Sequence, residues 1–209
     1  MAETTALHYW PWKGNRYRAG YRDSLRLLIL GESHYGDDDP GATERWTKEH
    51  CQKCPERFWT HVEQVVVGFP VQDSDDRQAF WDSVAFSNIV QDVQDRPGTQ
   101  ISERSWKRAR EAFCDLIGLL RPDLIFVFSR TAWGKIPDDQ EYPGSRYLPD
   151  VRSPYSANDQ AYLYEIEPGY RVLAGCFNHP RSPGVSRAVW HAWAEQLLLT
   201  RSAIGRRLE

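Results

Sequence analysis

Residues 25–36 read Leu25-Arg26-Leu27-Leu28-Ile29-Leu30-Gly31-Glu32-Ser33-His34-Tyr35-Gly36. Five apolar side chains within six residues stop abruptly at a run of polar ones. A short apolar run of this kind is expected to form a strand covered on both faces, as in a parallel sheet. Ligands of open α/β sheets bind beyond the carboxyl ends of such strands, where loops carry the reactive groups. The loop from Gly31 to Gly36 is therefore where a site is expected to begin.

Three further strands are read in the same way. Val84 to Ser87 leads into Asn88, Leu124 to Phe128 leads into Ser129, Arg130 and Thr131, and a strand ending at Cys176 leads into Phe177, Asn178, His179 and Pro180. Between them, Phe58, Val62, Val65 and Val66 have helical spacing, broken by Gly68 and Pro70. Ser102 and Glu103 open a long helix with Trp106, Ala109, Phe113, Leu116, Ile117 and Leu120 on one face, ended by Pro122. A last helix is expected over residues 185–199. Gly36 to about Glu56 reads as a polar loop, and residues 137–170, rich in Pro, Tyr, Asp and Ser, as an irregular insertion, while residues 162–166 and 170–174 suggest a hairpin feeding the last core strand. Strands alternating with helices imply a three-layer α/β/α fold around a central, mostly parallel four-stranded sheet. The strand ends then gather Glu32, Ser33, His34 and Tyr35 with Asn88, Ser129, Asn178 and His179 along one rim.

The chain has 209 residues, enough for one domain with a full core, and its 41% apolar and 26% charged composition is that of a globular protein. A net charge of −3 supplies no global field for a polyanion, so nucleic acid would have to bind through a local patch. No apolar run approaches the roughly 20 residues that span a bilayer, and the first residues lack the apolar stretch of a signal peptide. No membrane association and a cytoplasmic location are expected. Residues 1–22 interleave Tyr9, Trp10, Trp12, Tyr17 and Tyr21 with Lys13, Arg16, Arg18 and Arg22. This reads either as a nucleic-acid-binding arm or as a segment whose aromatics pack on the body while its bases face solvent.

The residues also offer two other chemistries. Ser33 beside His34 invites a Ser-His hydrolase reading, but the second Gly of a nucleophile elbow is missing. Cys51 and Cys54 with His50 and His61 offer zinc-type ligands, yet a single Cys-x-x-Cys does not complete a four-ligand set. No metal and no cofactor are expected.

Four landmarks then occur in a particular order: Gly31 to Gly36 after the first strand; Phe86, Ser87, Asn88, Ile89, Val90 through Arg96 and Pro97 after the second; Arg121, Pro122, Asp123 before the third; and His179, Pro180, Arg181, Ser182, Pro183 after the last. In this the chain resembles the uracil-DNA glycosylase superfamily, over roughly residues 25–195. That superfamily has its first motif after the first strand, an Asn in a pattern like T-N-x-V-K-C-R-P-P after the second, and H-P-S after the last. Phe58 and Trp59 resemble the Phe-Trp that opens the first helix of its mismatch-specific branch.

The resemblance implies a monomeric DNA glycosylase-like domain over residues 1–209 that flips a nucleotide from DNA and hydrolyses its N-glycosidic bond. Asn88 would read the base edge, and His179 would stabilise charge on the leaving base. Glu32 matches the Glu of the iron-sulfur branch and would serve the water or the sugar cation. Ser33 stands where several branches place an Asp or Asn to orient water, and with Glu32 and His179 it makes up the catalytic set the resemblance implies. Tyr35, with His34 beside it, would shape the pocket floor, Trp46 or Phe58 would stack on the base, and Arg181 and Ser182 would meet DNA. Asp92 stands where the iron-sulfur branch has a Cys, so no cluster is implied. A modified or damaged pyrimidine is the expected substrate, with repair or anti-phage defence as its setting. A noncatalytic nucleic-acid-binding module of the same fold is the main alternative.

Overall fold

The computed structural model describes residues 5–52, 57–96, 98–138, 140–154, 160–180, 182 and 186–206. In chain order they form β1 (Trp12–Lys13), β2 (Leu27–Gly31), α1 (Ala42–Gln52), α2 (Arg57–Val67), α3 (Ser74–Ser83), β3 (Ala85–Asn88), α4 (Glu103–Leu120), β4 (Leu124–Val127), α5 (Arg130–Trp133), β5 (Arg146–Arg152), β6 (Gln160–Glu167), β7 (Tyr170–Cys176) and α6 (Arg187–Arg206). One mixed seven-stranded sheet runs β1-β3-β2-β4-β7-β6-β5.

The four strands read from the sequence, β3-β2-β4-β7, are its parallel centre. The expectation of a four-stranded sheet is corrected at both edges, where β1 pairs antiparallel with β3, and β6 and β5 add antiparallel beyond β7.

Alternation along β2 explains the layers, because successive side chains of a strand point to opposite faces. Leu27 and Ile29 pack in one cluster with Trp59, Val62 and Val66 of α2, Trp81 of α3 and Trp190, Trp193 and Leu197 of α6. Leu28 and Leu30 pack in the other with Trp106, Ala109, Phe113, Leu116 and Ile117 of α4. Helices therefore cover both faces. At the amino ends of the strands, the Asp123 carboxylate accepts from the Arg26 backbone N–H and Nε, each at 2.9 Å, and from Arg201 of α6 at 3.3 Å. This ties β2, β4 and α6 together at the end away from the polar rim.

Three readings change, and one left open is decided. The polar loop after β2 contains α1, whose buried face is Ala42, Thr43, Thr47, His50 and Cys51, so its helical periodicity is carried largely by polar side chains. Residues 137–170 are not wholly irregular, since they supply β5 and β6. The N-terminal segment is packed rather than a free arm: Tyr9, Trp12 and Tyr17 are buried, Trp12 Nε1 donates to the Trp81 carbonyl at 2.8 Å, and Trp10 alone of these aromatics is half exposed. The last helix runs on to Arg206, further than the expected residue 199.

Candidate functional site

The chain leaves β2 toward β3 on one side, while β4 is followed by β7 on the other. The gap beyond β2 and β4 is thus the topological switch point, where open α/β sheets bind their ligands. Register brings Gly31 level with Asn88 and Leu30 level with Val127, so the loops after β2, β3 and β4 leave the sheet together. A cavity of about 430 Å³ opens here, within the roughly 300–1,000 Å³ of small-molecule sites.

Its walls differ in character. Trp46 of α1, Phe58 and Trp59 of α2 and Phe86 of β3 form an aromatic side, with Tyr35 at the mouth. Trp59 packs on Phe86 with ring centroids 4.4 Å apart and is backed by His50 at 5.7 Å and Trp81 at 4.9 Å. Behind it, Glu63 Oε1 lies 2.6 Å from His50 Nε2, accepts from Trp81 Nε1 at 2.8 Å and stands 3.5 Å from Arg77 Nε. Glu63 and His50 are fully buried, so this polar cluster stiffens the aromatic wall from inside. The rest of the lining is Ser129, Arg130 and Thr131 after β4 and Asn178, His179 and Ser182 after β7.

Glu32 and Ser129 meet across the switch point, the serine hydroxyl donating to Glu32 Oε2. Asn88 is 8% exposed, and no described residue bonds its side-chain amide. It lies over Gly31, where a Cβ would stand 2.1 Å from Asn88 Oδ1, so only glycine at 31 leaves the amide its place. Asn178 Oδ1 is buried against the cavity with no hydrogen-bond partner among the described residues. His179 packs against Phe58 at 5.5 Å. The turn that carries His179 is fixed from α2: His61 Nδ1–H donates to the Pro180 carbonyl at 2.8 Å, while the Arg187 guanidinium donates to His61 Nε2. Burial, together with the charges of Arg187 and Arg57, lowers the His61 pKa and keeps the ring in this neutral form.

The structure therefore brings Glu32, Ser33, Tyr35, Trp46, Phe58, Asn88, His179 and Ser182 to one cavity. It does not bring His34 there. That ring is buried, hydrogen bonded to Thr43 through Nε2 at 3.2 Å and packed between Tyr9 at 3.9 Å and Trp46 at 5.2 Å. Burial drops its pKa from 6.5 to about 3, so His34 is a neutral supporting residue rather than a substrate contact. Ser33 donates to the Tyr35 hydroxyl at 3.0 Å, not to an imidazole, which removes the Ser-His arrangement. Arg181 and Cys54 lie outside the described residues. His50 faces Glu63 and His61 faces Pro180, so the two histidines are committed to separate partners, while Cys51 is a buried free thiol whose pKa burial pushes up to about 12. Ser129, Arg130, Thr131 and Asn178 gained no role from the sequence, although their positions at the carboxyl ends of two parallel strands were the signal.

Fold and cavity together define an α/β domain with a mixed seven-stranded sheet and a cavity at its switch point. No protein-family model matches the chain, and no curated protein matches it in sequence. Among solved structures, a domain of unknown function (DUF1537) from Bordetella bronchiseptica, crystallised as a domain-swapped dimer with bound citrate, aligns with a TM-score of 0.38 and 11% identity over 82% of this chain. The chain spans 41% of that protein's length. Among the described residues no helix is long and apolar enough to cross a membrane.

Proposed function

We propose that this protein is a DNA glycosylase of the uracil-DNA glycosylase-like fold, which takes a flipped modified or damaged pyrimidine into the switch-point cavity and hydrolyses its N-glycosidic bond. The observation that carries the reading is the company kept in one cavity: a carboxylate, an imidazole and an unpartnered carboxamide beside a wall of aromatic rings. A flat heterocycle stacks on Phe58 or Trp46, and its polar edge satisfies the Asn88 amide.

As the bond from the sugar to the base lengthens, positive charge grows at the anomeric carbon and negative charge on the base. His179 hydrogen-bonds the departing base and stabilises its charge. The Glu32 carboxylate faces the sugar cation or orients the water that attacks it, leaving an abasic site. Ser33 holds the Tyr35 ring at the cavity mouth and takes no proton. Ser182 and the neighbouring Arg181 contact the DNA strand beside the flipped nucleotide. The protein acts as a monomer.

The test is mass spectrometry of free bases released from a panel of natural, damaged and glucosylated phage DNAs, followed by alkali treatment. A released base with matching alkali-labile breaks is expected. If every DNA in the panel stays intact while the protein still binds it, the noncatalytic binding module replaces the enzyme.

A further inference from the structure

We infer that Ser129 is a positioning residue that holds the Glu32 carboxylate in one orientation across the switch point. The inference rests on the glycosylase reading for what the carboxylate does, but not for how it is held.

A serine hydroxyl has one hydrogen to donate and two lone pairs to accept with. Ser129 is 2% exposed and caps α5, its Oγ accepting from the Ala132 N–H at 3.1 Å while its carbonyl accepts from the Trp133 N–H at 3.0 Å. The cap fixes the oxygen and takes one lone pair. The hydrogen is left for the group in front of it, which is Glu32 Oε2. An ionised carboxylate only accepts, so the direction of this bond is settled by chemistry.

The backbone beneath Glu32 is equally constrained: its carbonyl accepts from Val90 N–H at 2.9 Å, and the Leu30 carbonyl accepts from Phe128 N–H at 2.8 Å. The two strands that flank β2 thus grip the glutamate at both ends, by the main chain after β3 at Val90 and by the hydroxyl after β4 at Ser129. Glu32 Oε1 has no partner among the described residues and is the oxygen left for the cavity. Ser33, next in sequence, turns its hydroxyl to Tyr35 and gives Glu32 no help. Without Ser129 the long glutamate side chain is free to rotate, and a carboxylate that must meet a transient charge loses its aim.

Ser129→Gly tests this cleanly, because glycine is nearly as good an N-cap as serine while Ala is not. Ser129→Thr keeps the donor. Single-turnover base release by Ser129→Gly should fall by up to about a hundredfold, the cost that a misplacement of about 1 Å at a reacting group can carry, with Ser129→Thr retaining more of the rate. In parallel, a ¹³C carboxyl label, assigned through Glu32→Gln, should give a Glu32 resonance that moves in Ser129→Gly toward that of a solvent glutamate and stays in place in Ser129→Thr. An unmoved resonance in Ser129→Gly overturns the inference, as does a Thr variant no better than Gly in both readouts. If the parent releases no base from any DNA, the glycosylase reading fails, and the resonance alone decides whether Ser129 holds Glu32.

Discussion

Gly31→Ala places a methyl 2.1 Å from Asn88 Oδ1, 3.3 Å from Asn88 Cγ and 3.4 Å from Phe86 Cζ. The last contact is close to ordinary packing and the first is impossible, so the Asn88 amide has to swing away. Gly31 is not among the residues with positive φ, and the backbone itself accepts alanine. Overpacking costs about 1–3 kcal/mol, offset by about 0.4–1 kcal/mol from the stiffer unfolded chain. At about 2–4 °C per kcal/mol for a chain of this size, Tm should fall by no more than about 10 °C. Base selection should suffer as badly as in Asn88→Ala, since both variants take the amide from the base edge. The decisive measurement is a double-mutant cycle by chemical denaturation. In the Asn88→Ala background the clash is gone, and Gly31→Ala should turn from destabilising to stabilising by about 0.4–1 kcal/mol. Additive effects would refute the claim that Gly31 exists to make room for Asn88.

Glu32→Ala and His179→Ala should each slow base release by about 10²–10⁴ while DNA binding, read by fluorescence anisotropy, survives; full turnover in either would remove its role. His34 gives a pH prediction. Its folded pKa of about 3 lies below the unfolded 6.5, so below pH 6.5 the unfolded chain takes a proton the folded one refuses. Stability from this group is complete above 6.5 and is lost toward pH 3, at up to about 1.4 kcal/mol per pH unit. Denaturation at pH 7 and pH 5 should show His34→Asn losing less stability than the parent, and equal slopes would contradict the burial argument. Glu63→Ala strips the partner from buried Arg77 and should cost about 3–5 kcal/mol in urea unfolding; a loss under about 1 kcal/mol would mean the cluster is not what stiffens the aromatic wall.

How much was legible varied with what carried the signal. The four central strands and α4 announce themselves because their buried faces are apolar and periodic. α1 hides because Thr43, Thr47 and His50 fill its buried face, polar groups made acceptable by partners that only the folded chain brings, such as Glu63 for His50. α3 buries only Arg77, Phe80 and Trp81, yet Asp73 caps it by accepting from Asp75 and Asp76 N–H, and that capping signal was present in the sequence. β5 carries Pro149 and charged Arg146, Asp150 and Arg152, the composition of an exposed edge strand, which resembles a loop when read alone. In the site, strand ends located Glu32, Asn88 and His179. His34 was misplaced because adjacent loop residues point in unrelated directions, and adjacency to a reactive residue carries no information about facing.

Gln91 has a consequence for the order of events in folding. Its Oε1 accepts from the backbone N–H of both His8 and Tyr9 at 2.9 Å, and its Nε2 donates to the Asn88 carbonyl at 2.8 Å. The main chain under Asn88 is therefore clasped through Gln91 to His8 and Tyr9, which precede Gln91 by 83 and 82 positions. Closing so long a loop carries an entropic cost that local contacts cannot offset until the sheet between its ends exists. The clasp is accordingly among the later contacts to form, and shortening the N-terminus past Tyr9 would loosen the main chain under Asn88 without removing any residue that lines the cavity.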